Sequence, residues 1–554
     1  MSVYRVIIAL LITFILSEKV SAQISEGGTP LSFSEKVSTA FQEVFVVPPD
    51  INKLAVEDNS HLKDTYGYRF GVLLPVDLSI KNSGTWEETA KGSKIWRLKL
   101  FSEGAEAVSL YFDDFRLPEG GKLFLYSESG KIVKGAFTSG NNRESGSFAT
   151  GLIPGSTVVL EYDAPGDVAE MPEMTISNFG YAYRGVYDNE KGFGGSDPCE
   201  VNVNCSPEGD DWQEEKHSIC RIQVKVGGAA YWCSGSLVNT VRDDATPYVL
   251  TADHCAYKFG HYATQADLDQ WIFYFNYFSD DCENPQTEPG SDSFTGAVKI
   301  AQGGEHATTG SDFYLVLLQD DIPDSYNLYF NGWNAQDNPV SQGVTLHHPE
   351  GDIQKISTFT TPLISSSFNG NGLPSHWKVN WSETANNWGV TEGGSSGSPL
   401  FDSLGRVIGT LTGGLASCNN QEDPDYYGKF SYHWTSNGTA DTAQLKPWLD
   451  PDNTGVTSHH GTFVGVENYI ASDRYDIKIY PNPVNDVITI KFINFGNSKI
   501  EVLLIDLLGK IRKRMEMNIE NNTMDLPVRG LPPGIYFLKI TDGNIIVVKR
   551  VIKN

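Results

Sequence analysis

The sequence predicts an all-β protein made of three successive units. Alternating apolar and polar residues, typical of half-buried strands, occur in the first part at 96–101 (WRLKLF) and 107–112 (AVSLYF). The middle part is dense in Gly and Trp and holds all seven cysteines, and alternating runs return at 487–492 (VITIKF) and 535–540 (IYFLKI). A chain of 554 residues also exceeds one ordinary core, for which about 100 to 200 residues is typical.

The first residues predict an export signal. An apolar run at 7–16 follows Arg5 and precedes Val20, Ser21 and Ala22, the small residues at which a signal peptidase cuts. The expected signal peptide is 1–22. A membrane anchor is the alternative, but the run is shorter than the roughly 18 apolar residues that a spanning helix needs. We expect no membrane span after signal removal.

Charge and cysteine usage limit the possible partners. The net charge of −27 argues against nucleic acid, because phosphate binding needs a basic surface. All cysteines lie between Cys199 and Cys418, so one region is cross-linked, and an exported protein meets an oxidising compartment in which they pair. Because seven is odd, at least one thiol stays unpaired.

Residues 23–191 read as a β-sandwich, with turn signals such as 118–121 (PEGG) between alternating strands. No catalytic group of residues stands out there. The middle part is different, because it contains a hydroxyl, a base and a carboxylate in patterns suited to acyl transfer.

Ser396 lies in a tight turn, 394–399 (GSSGSP), whose small residues let the amides of Gly394 and Ser396 point at one oxyanion. His254 follows the apolar strand 248–250, and Asp312 opens another apolar strand. Each motif alone is more often a loop, a structural histidine or a cap. Together, in the order His, Asp, Ser within one cysteine-bearing β region, they predict a serine protease with the chymotrypsin-like double β-barrel.

Histidine and cysteine residues can also indicate a metal site. The sequence has no HExxH and no paired CxxC, so we expect no metal and no cofactor.

The middle part also resembles a known family, the bacterial lysyl endopeptidases of the Lys-C type, over 192–462. The matching motifs are 233–238 (CSGSLV), 250–255 (LTADHC), 347–349 (HHP), 391–400 (TEGGSSGSPL) and 448–451 (WLDP). The resemblance implies His254, Asp312 and Ser396 as the catalytic triad. It also implies disulfides pairing Cys199 with Cys418, Cys205 with Cys282 and Cys233 with Cys255, which leaves Cys220 as the odd, buried thiol.

A pocket for lysine must offer a carboxylate, since an unpaired buried ion is too costly. Trypsin keeps that acid six residues before its serine, where this chain has Val390. In the lysyl endopeptidases the acid precedes a Tyr-Gly pair, which here implies Asp425. The alternative is a turn residue in an acidic loop with Glu422 and Asp423.

The resemblance places Thr412, Gly413, Gly414 and Phe368 around the same pocket. The family's lysine-specific members stack a Trp on a His there, and the matching positions are Phe368 and Thr412, so arginine is expected to be tolerated. Ser395 stands where trypsins keep the Asp that binds a new N-terminus. Removal of a blocking propeptide, 23–191, is therefore the expected activation, with self-cleavage between Lys191 and Gly192. A substrate-binding module is the alternative for 23–191.

After a linker at 463–475, residues 476–554 resemble the C-terminal sorting domain of the type 9 secretion system through 479–483 (IYPNP), Gly509, Lys510 and 531–537 (LPPGIYF). That implies a partner, the type 9 machinery, and export across a Gram-negative outer membrane to the cell surface or medium. A plain β adhesion module is the alternative for this tail.

We therefore expect a monomeric secreted endopeptidase that acts on protein or peptide substrates after lysine. The alternatives are a serine protease of other specificity and an inactive, protease-like surface adhesin.

Overall fold

A computed structural model describes residues 25–553, apart from 62–66, 167–169, 185–192, 259, 305–308, 369, 371, 464–475, 494–498, 507–509, 519–522 and 542–545. The predicted cleavage sites after Ala22 and Lys191, and nearly all of the predicted linker, lie outside the described residues. The chain divides into two compact units, Met1–Val464 and Gly465–Asn554. The prediction of an all-β protein is confirmed, because strands dominate both units.

The first part of the larger unit folds as two facing sheets. Its strands are β1 (Glu43–Phe45), β2 (Tyr68–Ser79), β3 (Thr85–Glu88), β4 (Lys94–Phe101), β5 (Ala107–Arg116), β6 (Lys122–Ser127), β7 (Val133–Phe137), β8 (Phe148–Ala149), β9 (Ile153–Pro154), β10 (Thr157–Asp163) and β11 (Glu173–Ala182). One sheet has the order β1-β4-β10-β6-β7 with β3 beside β4, and β2-β11-β5-β8 with β9 form the other side. Two helices, α1 (Leu31–Ser34) and α2 (Ile51–His61), precede β2.

The middle part begins with a first barrel-like sheet. Its strands are β12 (Val201–Asn202), β13 (Ile219–Val226), β14 (Ala229–Leu237), β15 (Tyr248–Thr251), β16 (Tyr257–Lys258), β17 (His261–Tyr262), β18 (Ile272–Phe275), β19 (Asp292–Thr295), β20 (Ala297–Gly303) and β21 (Phe313–Leu318). The sheet runs β19-β18-β13-β14, continues through β15, β21 and β20, and encloses one apolar core. The helices α3 (Asp253–Ala256) and α4 (Gln265–Leu268) lie between its strands. β16 and β17 form a separate hairpin, whereas β12 pairs in the next sheet.

The second barrel-like sheet follows. Its elements are β22 (Tyr329–Phe330), β23 (Gly332–Asn334), β24 (Gly343–His347), β25 (Lys355–Phe359), β26 (Ile364–Ser366), β27 (His376–Val379), β28 (Pro399–Asp402), β29 (Arg406–Gly414), β30 (Asp425–Lys429), α5 (Phe430–Thr435), α6 (Lys446–Leu449), β31 (Ser458–His459) and β32 (Thr462–Phe463). The main order is β12-β25-β24-β28-β29-β30-β27-β26. Short 3-10 helices lie at Ser139–Asn141, Glu215–Ser218, Asp324–Tyr326, Pro349–Gly351 and Asp441–Ala443.

The first and middle parts share one sheet, because β2 pairs in antiparallel fashion with β14. Successive side chains of a strand point to opposite faces. Tyr231 and Cys233 accordingly face the barrel core, whereas Ala230 and Trp232 belong to the core of the first part. Phe70 of β2 stacks on Trp232 with ring centroids 4.2 Å apart. The first part is therefore packed against the barrel through a common apolar core.

The smaller unit holds a three-stranded and a four-stranded sheet around its own core. Its strands are β33 (Asp476–Tyr480), β34 (Val487–Ile493), β35 (Lys499–Asp506), β36 (Ile511–Asn518), β37 (Thr523–Pro527), β38 (Gly534–Thr541) and β39 (Ile546–Lys553). In the part of the chain that the structure describes, no helix has the length and apolar character to cross a membrane.

Candidate active site

His254 and Asp312 meet because their strands are neighbours. β15 pairs with β21, so the helix that follows β15 and the residue that precedes β21 lie at the same end of the sheet. Asp312 accepts two hydrogen bonds from His254, one from the backbone amide at 2.9 Å and one from Nδ1 at 2.7 Å. Both side chains are buried. The carboxylate therefore fixes the ring, with Nδ1 as the donor, which leaves Nε2 unprotonated in the neutral ring.

The backbone at Asp312 is left-handed, with φ of 60°, which is costly for a residue other than glycine. Its neighbour Ser311 is held from two sides. Ser311 Oγ lies 2.7 Å from Nδ1 of His433 and accepts a bond of 2.7 Å from Asn437, and Asn437 also accepts from the Ser311 amide. His433 and Asn437, from α5 and the turn after it, thus hold the loop that carries the carboxylate. The sequence analysis had not singled out either residue.

Ser396 lies in the turn that leads into β28, beside β14. The amide of Ser234 donates to the Ser396 carbonyl at 2.8 Å. Gly397 has φ of 83°, and a Cβ there would lie 2.2 Å from Oγ1 of Thr251, so only glycine fits. Within the described residues His254 Nε2 has no hydrogen-bond partner. Catalytic hydrogen bonds are often long before substrate binds, so this atom is available to Ser396.

The two amides that are predicted to bind the oxyanion belong to a turn that hydrogen bonds hold in place. The carbonyl of Gly393 accepts a bond of 2.5 Å from the amide of Glu350. In a trans peptide the N–H points away from the carbonyl, so the amide of Gly394 points away from Glu350. Ser234 Oγ donates to the Gly394 carbonyl at 3.0 Å and fixes the other side. The turn is therefore held in one orientation before substrate arrives, as an oxyanion hole requires.

Ser395, which replaces the trypsin aspartate, contacts a histidine instead. Its Oγ lies 2.8 Å from Nδ1 of His347, whose Nε2 lies 2.9 Å from Oγ of Ser357. Burial lowers the pKa of His347 well below its usual value, so the ring stays neutral. A neutral hydrogen-bonded chain thus supports the turn that carries Ser396.

Asp425 is buried at the start of β30, with three donors directed at its carboxylate. Trp381 Nε1 and Thr391 Oγ1 each donate at 2.7 Å, and the amide of Ala416 donates at 3.3 Å. Burial raises the pKa of Asp425 to about 6, although the donors oppose that effect. A Cβ on Gly414 would lie 2.0 Å from the carboxylate. Asp425 is thus a carboxylate fixed by hydrogen bonds, with Gly414 against it, and it contacts Thr391 in the segment leading to Ser396. Thr391 begins a motif that carries the resemblance, although no role was expected for it, and Trp381 was not singled out in the sequence.

The structure does not pair Phe368 with Thr412 directly. Between them lies His376 of β27, whose Nε2 is 3.1 Å from Thr412 Oγ1 and whose ring centroid is 5.4 Å from that of Phe368. Burial lowers the pKa of His376 to about 4. An aromatic-histidine pair is therefore present, but the histidine comes from a different strand. Gly413 follows Thr412 with φ of 150° and open space around it.

Replacing His376 by glutamine is expected to lower kcat/KM by about five- to tenfold, the effect of losing one net hydrogen bond and one ring contact. The hydrogen bond between His376 and Thr412 and the packing of the His376 ring against Phe368 would both weaken. Peptide hydrolysis measured from pH 5 to 9 checks this, with His459→Gln, a histidine that contacts Asp243 elsewhere, as the control. An unchanged rate and pH profile would show that His376 only fills space.

Three disulfides join Cys199 with Cys418, Cys205 with Cys282 and Cys233 with Cys255, the pairs that the resemblance implies. The third links β14 to the residue after His254 and so holds the histidine against the strand beside Ser396. Cys220 is a buried free thiol on β13, and burial raises its pKa well above the usual value.

The first part of the chain lies over this site. The ring of Tyr68 is so close to Gly393 that a Cβ on that glycine would be 2.8 Å from it, and Tyr68 OH donates to Glu350 at 3.4 Å. Arg184 places its guanidinium 4.6 Å from the Tyr68 ring centroid. His254 is 1% exposed. Tyr68 of the first part therefore covers Gly393, three residues before Ser396.

Comparison with known proteins gives two family matches. Residues 193–428 match the lysyl endopeptidase C-terminal domain, and residues 478–554 match the secretion system C-terminal sorting domain. These matches confirm both resemblances. The middle region is a serine protease domain of the lysyl endopeptidase type, and the tail marks the chain as a secreted or cell-surface protein.

Solved structures with detectable similarity include three chains. Human heparin binding protein has 14% identity and a TM-score of 0.28, covering 43% of this chain and 91% of its own. The protease Anisep from Arthrobacter nicotinovorans has 19% identity and a TM-score of 0.29, covering 42% and 98%. The thermostable serine protease AL20 from an extremophilic microorganism has 14% identity and a TM-score of 0.27, covering 39% and 92%.

Proposed function

We propose that this chain, which carries a lysyl endopeptidase domain and a secretion sorting domain, is a secreted endopeptidase that cuts peptide bonds after lysine. The observation that carries the proposal is the double hydrogen bond between His254 and Asp312 beside Ser396. The turn that carries Ser396 supports the proposal too, because the amide of Glu350 holds the carbonyl of Gly393 in place.

In this mechanism Ser396 Oγ attacks the scissile carbonyl while His254 Nε2 takes its proton, and Asp312 stabilises the imidazolium that forms. The amides of Gly394 and Ser396 bind the oxyanion. His254 then gives the proton to the leaving amine, which leaves an acyl-enzyme on Ser396. A water molecule, activated by the same histidine, hydrolyses the acyl-enzyme.

Asp425 would bind the ammonium of the substrate lysine, with Thr412, Gly413 and Gly414 along the wall of the pocket. Three hydrogen-bond donors already surround the Asp425 carboxylate, but all three are uncharged. The ammonium of a substrate lysine would supply the positive charge that this buried carboxylate lacks. Phe368 is smaller than the tryptophan of the lysine-specific relatives. We therefore expect arginine to be accepted in addition to lysine.

The preference for lysine is expected to fall in acid. Asp425, with its pKa raised to about 6 by burial, is a carboxylate above that pH and neutral below it. At pH 5 about one tenth of the free enzyme would carry the charge, so kcat/KM for a lysine peptide should fall about tenfold further than kcat/KM for a norleucine peptide. Because both substrates need the same triad, their ratio isolates Asp425. A ratio constant from pH 8 to 5 would contradict this role.

Residues 23–191 would act as a propeptide. Support comes from β2, which pairs with β14 beside the nucleophile, and from Tyr68, which covers Gly393. Cleavage between Lys191 and Gly192 by the enzyme itself would separate this part from the protease. The next described residues are anchored to the protease domain, since the amide of Gly194 donates to Asp352 at 2.9 Å.

Two measurements test the proposed function. A fluorophosphonate should label Ser396 in the processed enzyme, and no labelling would favour an inactive adhesin. A peptide library should then show cleavage after lysine and arginine. Cleavage after acidic or apolar residues would replace this specificity with another.

Deleting residues 476–554 is expected to trap the protein in the periplasm, because the sorting domain would be missing from an otherwise folded enzyme. Peptidase activity in the periplasmic and extracellular fractions measures this. The control is a chain with β39 intact and only Arg529, an exposed residue of the same unit, changed to alanine. Unchanged extracellular activity of the deletion would rule out the sorting role.

A further inference from the structure

Strand β2 lies along β14 and begins close to the turn that carries Ser396. Its register on β14 pairs Tyr68 with Trp232 and Gly71 with Ala230. β14 runs towards the nucleophile, because the amide of Ser234 donates to the Ser396 carbonyl. The antiparallel β2 therefore begins beside the nucleophile and runs away from it. The part of a substrate that follows the cut bond has the same polarity.

The first described residue on this path is Gly67, and it lies against a lysine. A Cβ at Gly67 would be 2.9 Å from Nζ of Lys258 and 3.8 Å from Sγ of Cys233. Lys258 Nζ donates to the carbonyl of His254 at 2.8 Å and lies 4.7 Å from the centroid of the Tyr231 ring. An ammonium group attached to the catalytic histidine loop thus faces the chain at the start of β2.

Lys258 is buried, and the part of the chain that the structure describes offers it no acidic partner. Within the described residues, no carboxylate oxygen lies within the 4.0 Å of Lys258 Nζ that defines an ion pair, and Asp312, the acid whose charge raises the pKa of Lys258, is already bonded to His254. Burial lowers the pKa of Lys258 to about 7. A buried ammonium without a counter-ion is unfavourable, and a carboxylate brought to this place would stabilise it.

We propose that Lys258 determines specificity on the leaving-group side: after the first part of the chain is removed, it selects substrates with Asp or Glu at the place that Gly67 holds. The proposal rests on the proposed peptidase function. Gly67, the residue just before β2, fits the same geometry, since any larger residue there would displace the end of Lys258. A substrate carboxylate would instead accept a hydrogen bond from Nζ while the lysine turns outwards.

The test uses the enzyme matured from the full chain and internally quenched peptides that contain one lysine before the cut. The first or the second residue after that lysine is Asp or Asn, and all other residues are the same. The measured quantity is the ratio of kcat/KM for the Asp peptide to that for the Asn peptide. Because both values come from one enzyme preparation, a loss of folded or active enzyme cancels from the ratio.

At one of the two positions, the wild-type ratio should be about ten, as expected for one charge-assisted hydrogen bond. Lys258→Met should bring the ratio to about one, Lys258→Glu should invert it, and Lys258→Arg should retain it. Lys299→Met is the matched control, because that exposed lysine lies over Tyr262 and Tyr314 and should leave the ratio unchanged.

A wild-type ratio within twofold of one at both positions, or an unchanged ratio in Lys258→Met, would overturn the proposal while cleavage after lysine continued. Absence of cleavage in every peptide would overturn the proposed function together with it.

Discussion

Replacing Ser396 by alanine is expected to lower kcat for a lysine peptide by about 10⁶-fold, because the acyl-enzyme cannot form without its hydroxyl. His254→Ala should cost about as much, and the double variant little more, since the two residues act as one unit. Stopped and continuous peptide assays at high enzyme concentration measure the remaining rate. The amides that bind the oxyanion and the substrate pocket would account for the remaining rate of hydrolysis.

Ser403→Ala is the matched control, since this exposed serine follows β28 and lies in the turn before β29. It should retain full activity. After cleavage between Lys191 and Gly192, carried out by an added protease in the variants that do not process themselves, circular dichroism and the melting temperature should be the same for all four proteins. Loss of only about tenfold in Ser396→Ala would place the nucleophile elsewhere.

The same Ser396→Ala variant also tests processing. Purified full-length protein should stay uncut between Lys191 and Gly192, whereas the wild type should separate into two chains at that bond. Mass spectrometry of the intact protein distinguishes the two results. If the variant matures normally in pure preparation, another protease makes the cut.

The elements that local sequence patterns specify were predictable. The strand before His254 was predicted at 248–250 and extends over Tyr248–Thr251. The apolar strand after Asp312 is β21. Each pattern depends on residues close together in the chain, and the order of the motifs identified the fold because that order is a property of topology.

Contacts between distant segments were not predictable. The pairing of β2 with β14 joins residues more than 150 positions apart, and alternating apolar residues do not specify a partner strand. The same reason applies to His376. The resemblance directed attention to position 412, where the relatives carry histidine, whereas here the ring reaches that place from β27. Trp381 and Thr391 also lie far from Asp425 in the sequence, and only the folded chain brings them within hydrogen-bonding distance of it.

Replacing Asp425 by alanine is expected to lower kcat/KM for lysine peptides by about 10³-fold, because a lysine ammonium would enter a buried pocket without its counter-ion, a loss of about 3 to 5 kcal/mol. kcat/KM for a norleucine peptide should change by less than about tenfold, since its side chain needs no charge. The ratio of these two values in each variant measures the specificity directly.

Asp423→Ala is the matched control for this substitution. It removes an exposed acid from the same loop, two residues before Asp425, and should leave the ratio unchanged. If Asp425→Ala and Asp423→Ala behave alike, the buried carboxylate serves only the turn that contains it. Asp425→Asn separates charge from hydrogen bonding, because the amide retains an oxygen for Trp381 and Thr391. Since the asparagine is neutral, it should lose the lysine preference nearly as completely as the alanine variant, while its melting temperature stays closer to that of the wild type.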